Sequence, residues 1–321
     1  MRGRKKKRTD KHEKGGVELA GEALHLLRTA PLGMLVSYYV GSVSFVMGML
    51  YFCSDMSRSA FADQRCSAAS LGLALLFLWM KSWQTVFAQG LTASVTGGRW
   101  GPWSAARVGR VAAVQTALQP YGLLLIPVSF VLMLPFHRMH AFFQNLTVLG
   151  HGETRDVKSL AKDAWKQAGL WPTQNYVTMW LTNTWVLAIL MVFAFGACRL
   201  GVSNTPEMQN LDHVVWFVIS IGIIASFFLP FCPVGWAVAG NVALLLVIAP
   251  ALSRSLLGME TVFTVGGWHA IFSTTFIATV YGITYLLMDP LVKSIHVLRC
   301  FYGGARTTGE DLLVGLRGEG T

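Results

Sequence analysis

Charge is scarce in this chain: Asp, Glu, Lys and Arg make up 13% of its 321 residues. A soluble domain of that size carries about 25%, so an ordinary water-soluble globule is excluded. The cysteines are few and unpaired in sequence. Cys53, Cys66, Cys198, Cys232 and Cys300 form no CxxC and no metal-ligand spacing, which argues against a zinc site or a disulfide scaffold. They read as apolar thiols, although Cys53 and Cys66 bracket one loop and a bridge between them is geometrically open. No Walker loop, GxSxG elbow, HExxH or paired-carboxylate pattern is present, so nothing argues for an enzyme or a bound cofactor. No cleavable signal peptide precedes the first apolar run.

What is abundant is hydrophobic sequence, 53% of the chain, with a mean hydropathy of +0.49. It is gathered into runs of roughly 20 residues, the length a helix needs to cross about 30 Å of hydrocarbon. The expected fold class is therefore all-α, a polytopic transmembrane helical bundle of six spans or seven, with amphipathic juxtamembrane helices. The net charge of +10 is concentrated in Arg2, Arg4, Lys5, Lys6, Lys7 and Arg8. Beside a membrane span, such a run acts as a cytoplasmic retention signal rather than a nucleic-acid patch.

In chain order, residues 1–16 read as a disordered basic tail, residues 17–303 as a helical membrane domain and residues 304–321 as a short cytoplasmic tail. Leu19, Ala23, Leu26, Leu27 and Ala30 mark an amphipathic helix over Val17 to Ala30, ended by Pro31. Spans are expected at Pro31 to Cys53, Ala68 to Leu91, Val111 to Phe136 (interrupted by Pro120 and Pro127), Tyr176 to Cys198, and from Trp268 to Met288. The runs Val214 to Phe231 and Val234 to Leu252 add one crossing or two. A short loop, Ser54 to Ser67, and a long polar connection, His137 to Gln174, join the early spans, the latter holding a second amphipathic helix at Val157 to Gly169. Leu19-Ala20-x-Glu22-Ala23 before Pro31 also matches Leu160-Ala161-x-Asp163-Ala164 before Pro172. Two inverted halves would produce this; so would two juxtamembrane helices of like composition.

The Lys and Arg bias favours six spans with both ends cytoplasmic. That arrangement leaves Arg138, Arg155, Lys158, Lys162 and Lys166 on the outer side, against the same bias.

Asp289-Pro290 reads as a helix stop and restart, since Asp caps helices and Pro suits their first position. The new helix, Leu291 to Tyr302, would end at Gly303-Gly304 and lie along the headgroups, with Lys293, His296 and Arg299 on its basic side. Thr307-x-x-Glu310 and Thr308-x-x-Asp311 resemble a capping box for a short terminal helix. Lys81 sits mid-span in Leu78-Trp-Met-Lys-Ser-Trp-Gln84. Either it faces protein, with Gln84 and a counter-charge such as Asp289 or Asp55, or it snorkels between Trp79 and Trp83. His137 and His140 are read as an interfacial pair rather than half a metal site, and Asn145-Leu-Thr147 as a glycosylation sequon in form only.

The stretch Asp289-Pro-Leu-Val-Lys-Ser-Ile-His-Val-Leu-Arg-Cys-Phe-Tyr-Gly303 resembles the exit motif of an uncharacterised bacterial multi-pass inner-membrane family. Asp55-Met-Ser-Arg-Ser-Ala-Phe61, Phe77 to Gln84, Ala141 to Thr147 and Leu256 to Phe263 match it too, while Ala197 to Pro233 looks inserted. The resemblance implies membrane-protein companions, among them transglutaminase-like proteins and a MoxR-type ATPase. From these residues the expected function is a non-enzymatic, partner-binding membrane component with Asp55, Arg58, Lys293 and Arg299 as interaction motif. The alternative is a transporter or lipid-handling protein built around Lys81.

Overall fold

Backbone groups cannot be left unpaired in hydrocarbon, and a helix pairs them within one segment. In a computed structural model that describes residues 14–98, 104–131, 136–150, 156–182, 233–258 and 273–309, helix is almost all there is. The order is α1 (Gly16–Thr29), α2 (Leu32–Arg58), α3 (Ala62–Thr96), α4 (Ala105–Val131), α5 (Phe136–Leu149), α6 (Val157–Leu170), α7 (Pro172–Thr182), α8 (Pro233–Leu257) and α9 (Thr274–Thr308). Among the described residues four helices are long and apolar enough to cross a membrane, over Leu32–Met56, Ala62–Thr96, Val234–Leu256 and Thr275–Thr308. The span expected at Val214 to Phe231, and Tyr176 to Cys198 beyond Thr182, lie outside the described residues, as do the basic run at Arg2 to Arg8, Glu310 and Asp311.

The chain forms two units. The first comprises residues 1–38, 81–178 and 291–321, the second residues 39–80 and 179–290. In the second, side chains meet as apolar surfaces. Ala239, Phe276 and Val280 form a small core with Val242, Ala243, Leu246 and Val247 around it. Phe45 and Phe77 meet edge to face at 5.9 Å. Large apolar side chains stay uncovered along the same helices: Met47, Leu71, Leu75, Leu244, Leu245 and Leu252 are all exposed. So much uncovered apolar surface is costly in water and ordinary against lipid.

The first unit is built differently. Its apolar centre is Met34, Tyr38, Phe87, Ala88, Leu91, Val148, Val297 and Cys300, with Leu26, Leu27 and Ala30 of α1 leaning on it. That is the face the α1 periodicity predicts, and Leu19 and Ala23 are buried beside it. The helix stops where Ala30, in an extended conformation, precedes Pro31, as a residue before proline must. The matching segment behaves alike: Leu160 and Ala164 are buried on α6, which ends ahead of Pro172. Helix α5 packs on both α4 and α6. No helix was expected there, because His137, Arg138, His140, Gln144, Asn145 and Thr147 read as part of a polar connection, whereas four of them, His140, Gln144, Asn145 and Thr147, are buried.

Several expectations about boundaries are corrected. Helix α9 does not stop at Asp289-Pro290 but runs through it. Proline removes one N–H and frees the carbonyl four residues earlier; here that carbonyl, of Leu286, receives the Tyr39 hydroxyl at 3.5 Å. Nor does the helix end at Gly303-Gly304. It continues to Thr308 and stops at Gly309, whose φ of +67° is a left-handed conformation. Gly303 instead marks a close approach, since a Cβ there would collide with Gln167 and Leu170 of α6. The loop expected over Ser54 to Ser67 shrinks to residues 59–61. Helix α4 passes through Pro120 and Pro127 without a break.

Candidate functional site: a buried amide and cation cluster

On α9, residues three apart share a face, so Lys293, His296 and Arg299 project together. They do not lie against headgroups, as the sequence alone suggests. They are 0%, 1% and 3% exposed, and every residue from Val292 to Cys300 is buried. The amphipathic reading fails because this stretch is covered on its basic side by other helices of its own unit.

What covers it is a set of neutral amides. The Lys293 ammonium donates to Gln144 Oε1 on α5. His296 Nδ1 lies 3.0 Å from Asn145 Oδ1, and Arg299 Nε donates to Gln174 Oε1 on α7 at 3.2 Å. Each amide is held in turn. Asn145 Nδ2 donates to the Ala164 carbonyl of α6 at 3.3 Å, and Gln174 Nε2 to the Lys14 carbonyl at 2.7 Å. The pattern extends across α4 and α3, where Gln119 donates to Thr147 and Gln115 to Thr85, both at 3.1 Å.

This network fixes two proton positions. Asn145 uses its nitrogen on Ala164, so its oxygen faces His296, and His296 Nδ1 must carry a hydrogen. Gln144 accepts from Lys293 through oxygen, so its Nε2 is the donor 3.2 Å from His140 Nε2. His140 Nε2 is therefore an acceptor, and that ring is neutral. The two imidazoles meet edge to face with centroids 6.1 Å apart. His140 thus pairs with His296 across helices rather than with His137. The latter is half-buried; burial, and then the adjacent Arg138 charge, pull its pKa below the usual histidine value of 6.5. The Arg138 guanidinium lies over the Trp165 ring at 4.2 Å. Asn145 is 1% exposed and fully engaged, so the sequon has no accessible acceptor.

At the start of α1, Lys14 donates to Glu22 at 2.8 Å and to the Tyr302 hydroxyl at 2.6 Å, and that hydroxyl donates to Glu22. Burial opposes the Lys14 charge, but its bonds to Glu22 and Tyr302 prevail and hold its pKa above the ordinary 10.5. A lysine so shifted contributes stability that is complete below pH 10.5 and lost as pH rises through its folded-state value. Glu22→Gln should therefore cost at most about 1 kcal/mol of stability for a pair this open to water, seen as a small fall in thermal midpoint. The loss should be present at pH 8 and absent above the folded-state pKa, read by thermal unfolding across that range.

The other expected site residues fall elsewhere. Lys81 is half-buried on α3 and donates to Gln84 Oε1 at 3.1 Å, with Gln84 fully buried. Trp79 is exposed. Asp289 is buried. Asp55 lies half-buried near the end of α2, and the side chain of Arg58 lies outside the described residues. Sequence reasoning missed Gln115, Gln119, Gln144, Asn145, Gln174 and Asn175. Gln119 adjoins Pro120, and Gln174 and Asn175 follow Pro172, so in sequence they read as connection residues and only their place within helices reveals them. No protein-family model matches this chain, and no curated protein or solved structure shows significant similarity to it.

Proposed function

We propose that this chain is a multi-pass protein of the bacterial inner membrane, its N-terminus cytoplasmic, that serves as a non-enzymatic, partner-binding component of a membrane complex. The observation that supports this is the use made of its interior polar groups. Lys293, His296 and Arg299 are bonded to amides of α5 and α7, so their chemistry is spent on fixing helices rather than turned to solvent. A unit whose buried polar side chains are bonded to one another across helices is suited to present a fixed surface to partners. Partners of the transglutaminase-like and MoxR ATPase kinds follow from the exit-motif resemblance. Six crossings, set by the Lys and Arg bias, accompany this reading.

A photo-crosslinking amino acid at Asp55 in cells, followed by purification in mild detergent, tests it. Reproducible adducts with one or two membrane proteins are expected; monomer without adducts from that and neighbouring positions would end the proposal. Reporter fusions at both termini and in the His137 to Gln174 segment decide the threading.

A second reading, transport or lipid handling through Lys81, is supported by the Lys81–Gln84 bond in the middle of a candidate span. An ionisable side chain in such a place marks a pathway more often than a packing feature. Lys81→Met separates the two. A folded variant that abolishes transport of an anionic solute or lipid in proteoliposomes supports the second, and unchanged behaviour leaves the first.

A further inference from the structure

Arg299 has more hydrogen-bond capacity than its surroundings absorb. Its Nε is bonded to Gln174, yet Nη1 and Nη2 are both buried and have no partner among the described residues. The side chain is 3% exposed. Guanidinium stays protonated in proteins, and a buried charge with donors left open is strongly unfavourable.

Lys293 and His296 lie two turns and one turn back on the same face, and the Gln174 amide that Arg299 meets carries no charge. In the same unit Trp171 Nε1, three residues before Gln174, is a further buried donor without a partner, as is Arg138 Nε. Orphaned donors thus outnumber the orphaned acceptors, Gln115 Oε1 and Asn175 Oδ1. Two open donors on one buried cation call for a group that only accepts. An oxyanion is such a group, and the planar fork of Arg matches two of its oxygens at once.

Position along α9 narrows the class. Thr275–Thr308 is a 34-residue candidate span, roughly 50 Å of helix against about 30 Å of hydrocarbon. Its continuous apolar run ends at Met288, so Arg299, eleven residues on, falls about 16 Å further along the axis. The headgroup layer adds only about 5–8 Å on each side, so Arg299 lies at or past its aqueous edge, where free phosphate has access and a headgroup would have to be drawn out.

We propose that Arg299, positioned by Gln174, binds a phosphate-type oxyanion, either a lipid phosphodiester or free phosphate, whose oxygens accept from Nη1 and Nη2. This goes beyond a partner-binding role and does not depend on it.

The test uses the full chain, delipidated in neutral detergent. Thermal midpoints are read in that detergent against inorganic phosphate, with chloride at matched ionic strength, and against added phosphatidylglycerol, with diacylglycerol, which lacks the phosphodiester, as its control. Saturating ligand at roughly a hundred times its Kd raises the midpoint by several degrees. A rise with phosphate assigns a free anion, and a rise only with phosphatidylglycerol assigns a headgroup. Arg299→Lys keeps the charge and loses the fork, and should weaken the response about tenfold or more. Arg299→Gln should abolish it. No response by the wild-type chain overturns the proposal whether or not the variants fold, and so does a response that either folded variant retains in full.

Discussion

Asn145→Leu should destabilise the first unit by about 2–4 kcal/mol, one of the two largest single-residue effects expected in this chain. The side chain is nearly isosteric with leucine, so little volume is gained or lost. What disappears is a hub. The amide receives His296 at 3.0 Å and the Cys300 thiol at 3.6 Å, and donates to the Ala164 carbonyl at 3.3 Å. The His296 imidazole and the Cys300 thiol are buried and would lose this partner, whereas the Ala164 carbonyl, inside α6, keeps its helical bond. An orphaned buried polar group costs about 1–3 kcal/mol, and the thiol, a weak donor, adds less. Thermal unfolding in detergent, followed by tryptophan fluorescence, measures the loss. The double variant Asn145→Leu with His296→Leu should recover part of it, because removing both partners of a buried bond is cheaper than removing one. A single variant as stable as the wild-type chain would mean that the cluster does not hold α5, α6 and α9 together.

The second large effect belongs to two neighbouring glycines that answer oppositely. Gly303→Leu should cost about 3 kcal/mol or more, because any side chain there runs into Gln167 and Leu170 of α6. The atoms in the way are the ends of the Gln167 and Leu170 side chains, which can swing aside for a methyl group but leave no room for a whole leucine at this buried position. Gly304, one residue on, would give an added methyl group nothing within 4 Å to meet. Gly304→Ala should therefore be neutral or stabilise the helix by up to about 1 kcal/mol, the usual difference between these residues inside a helix. Equal behaviour of the two positions would show that α9 ends at the glycine pair after all.

These two residues also show where local reasoning misled. Gly303-Gly304 has the form of a helix terminator, and Asp289-Pro290 that of a cap and restart. Both rules describe what a backbone prefers when nothing else acts on it. At Pro290 the freed carbonyl finds a tyrosine from α2, and at Gly303 the missing Cβ is used for packing. In each case a contact from a distant part of the chain decided between alternatives that local preference leaves within a few kcal/mol of each other.

Composition and periodicity by themselves determined the helical class, the long apolar stretches of α2, α3, α8 and α9, the amphipathic face of α1 and the position of α6. They do so because burial in lipid or against a helix imposes a repeat that any sequence must carry. They could not determine which polar residues are inside. Lys293 and Arg299 look like a surface stripe in one dimension, and Gln144, Asn145 and Gln174 look like ordinary linker residues. Only the three-dimensional arrangement, with α5, α6 and α7 brought around the end of α9, turned them into partners. A hydrogen bond between residues more than a hundred positions apart leaves no trace in either segment's own pattern.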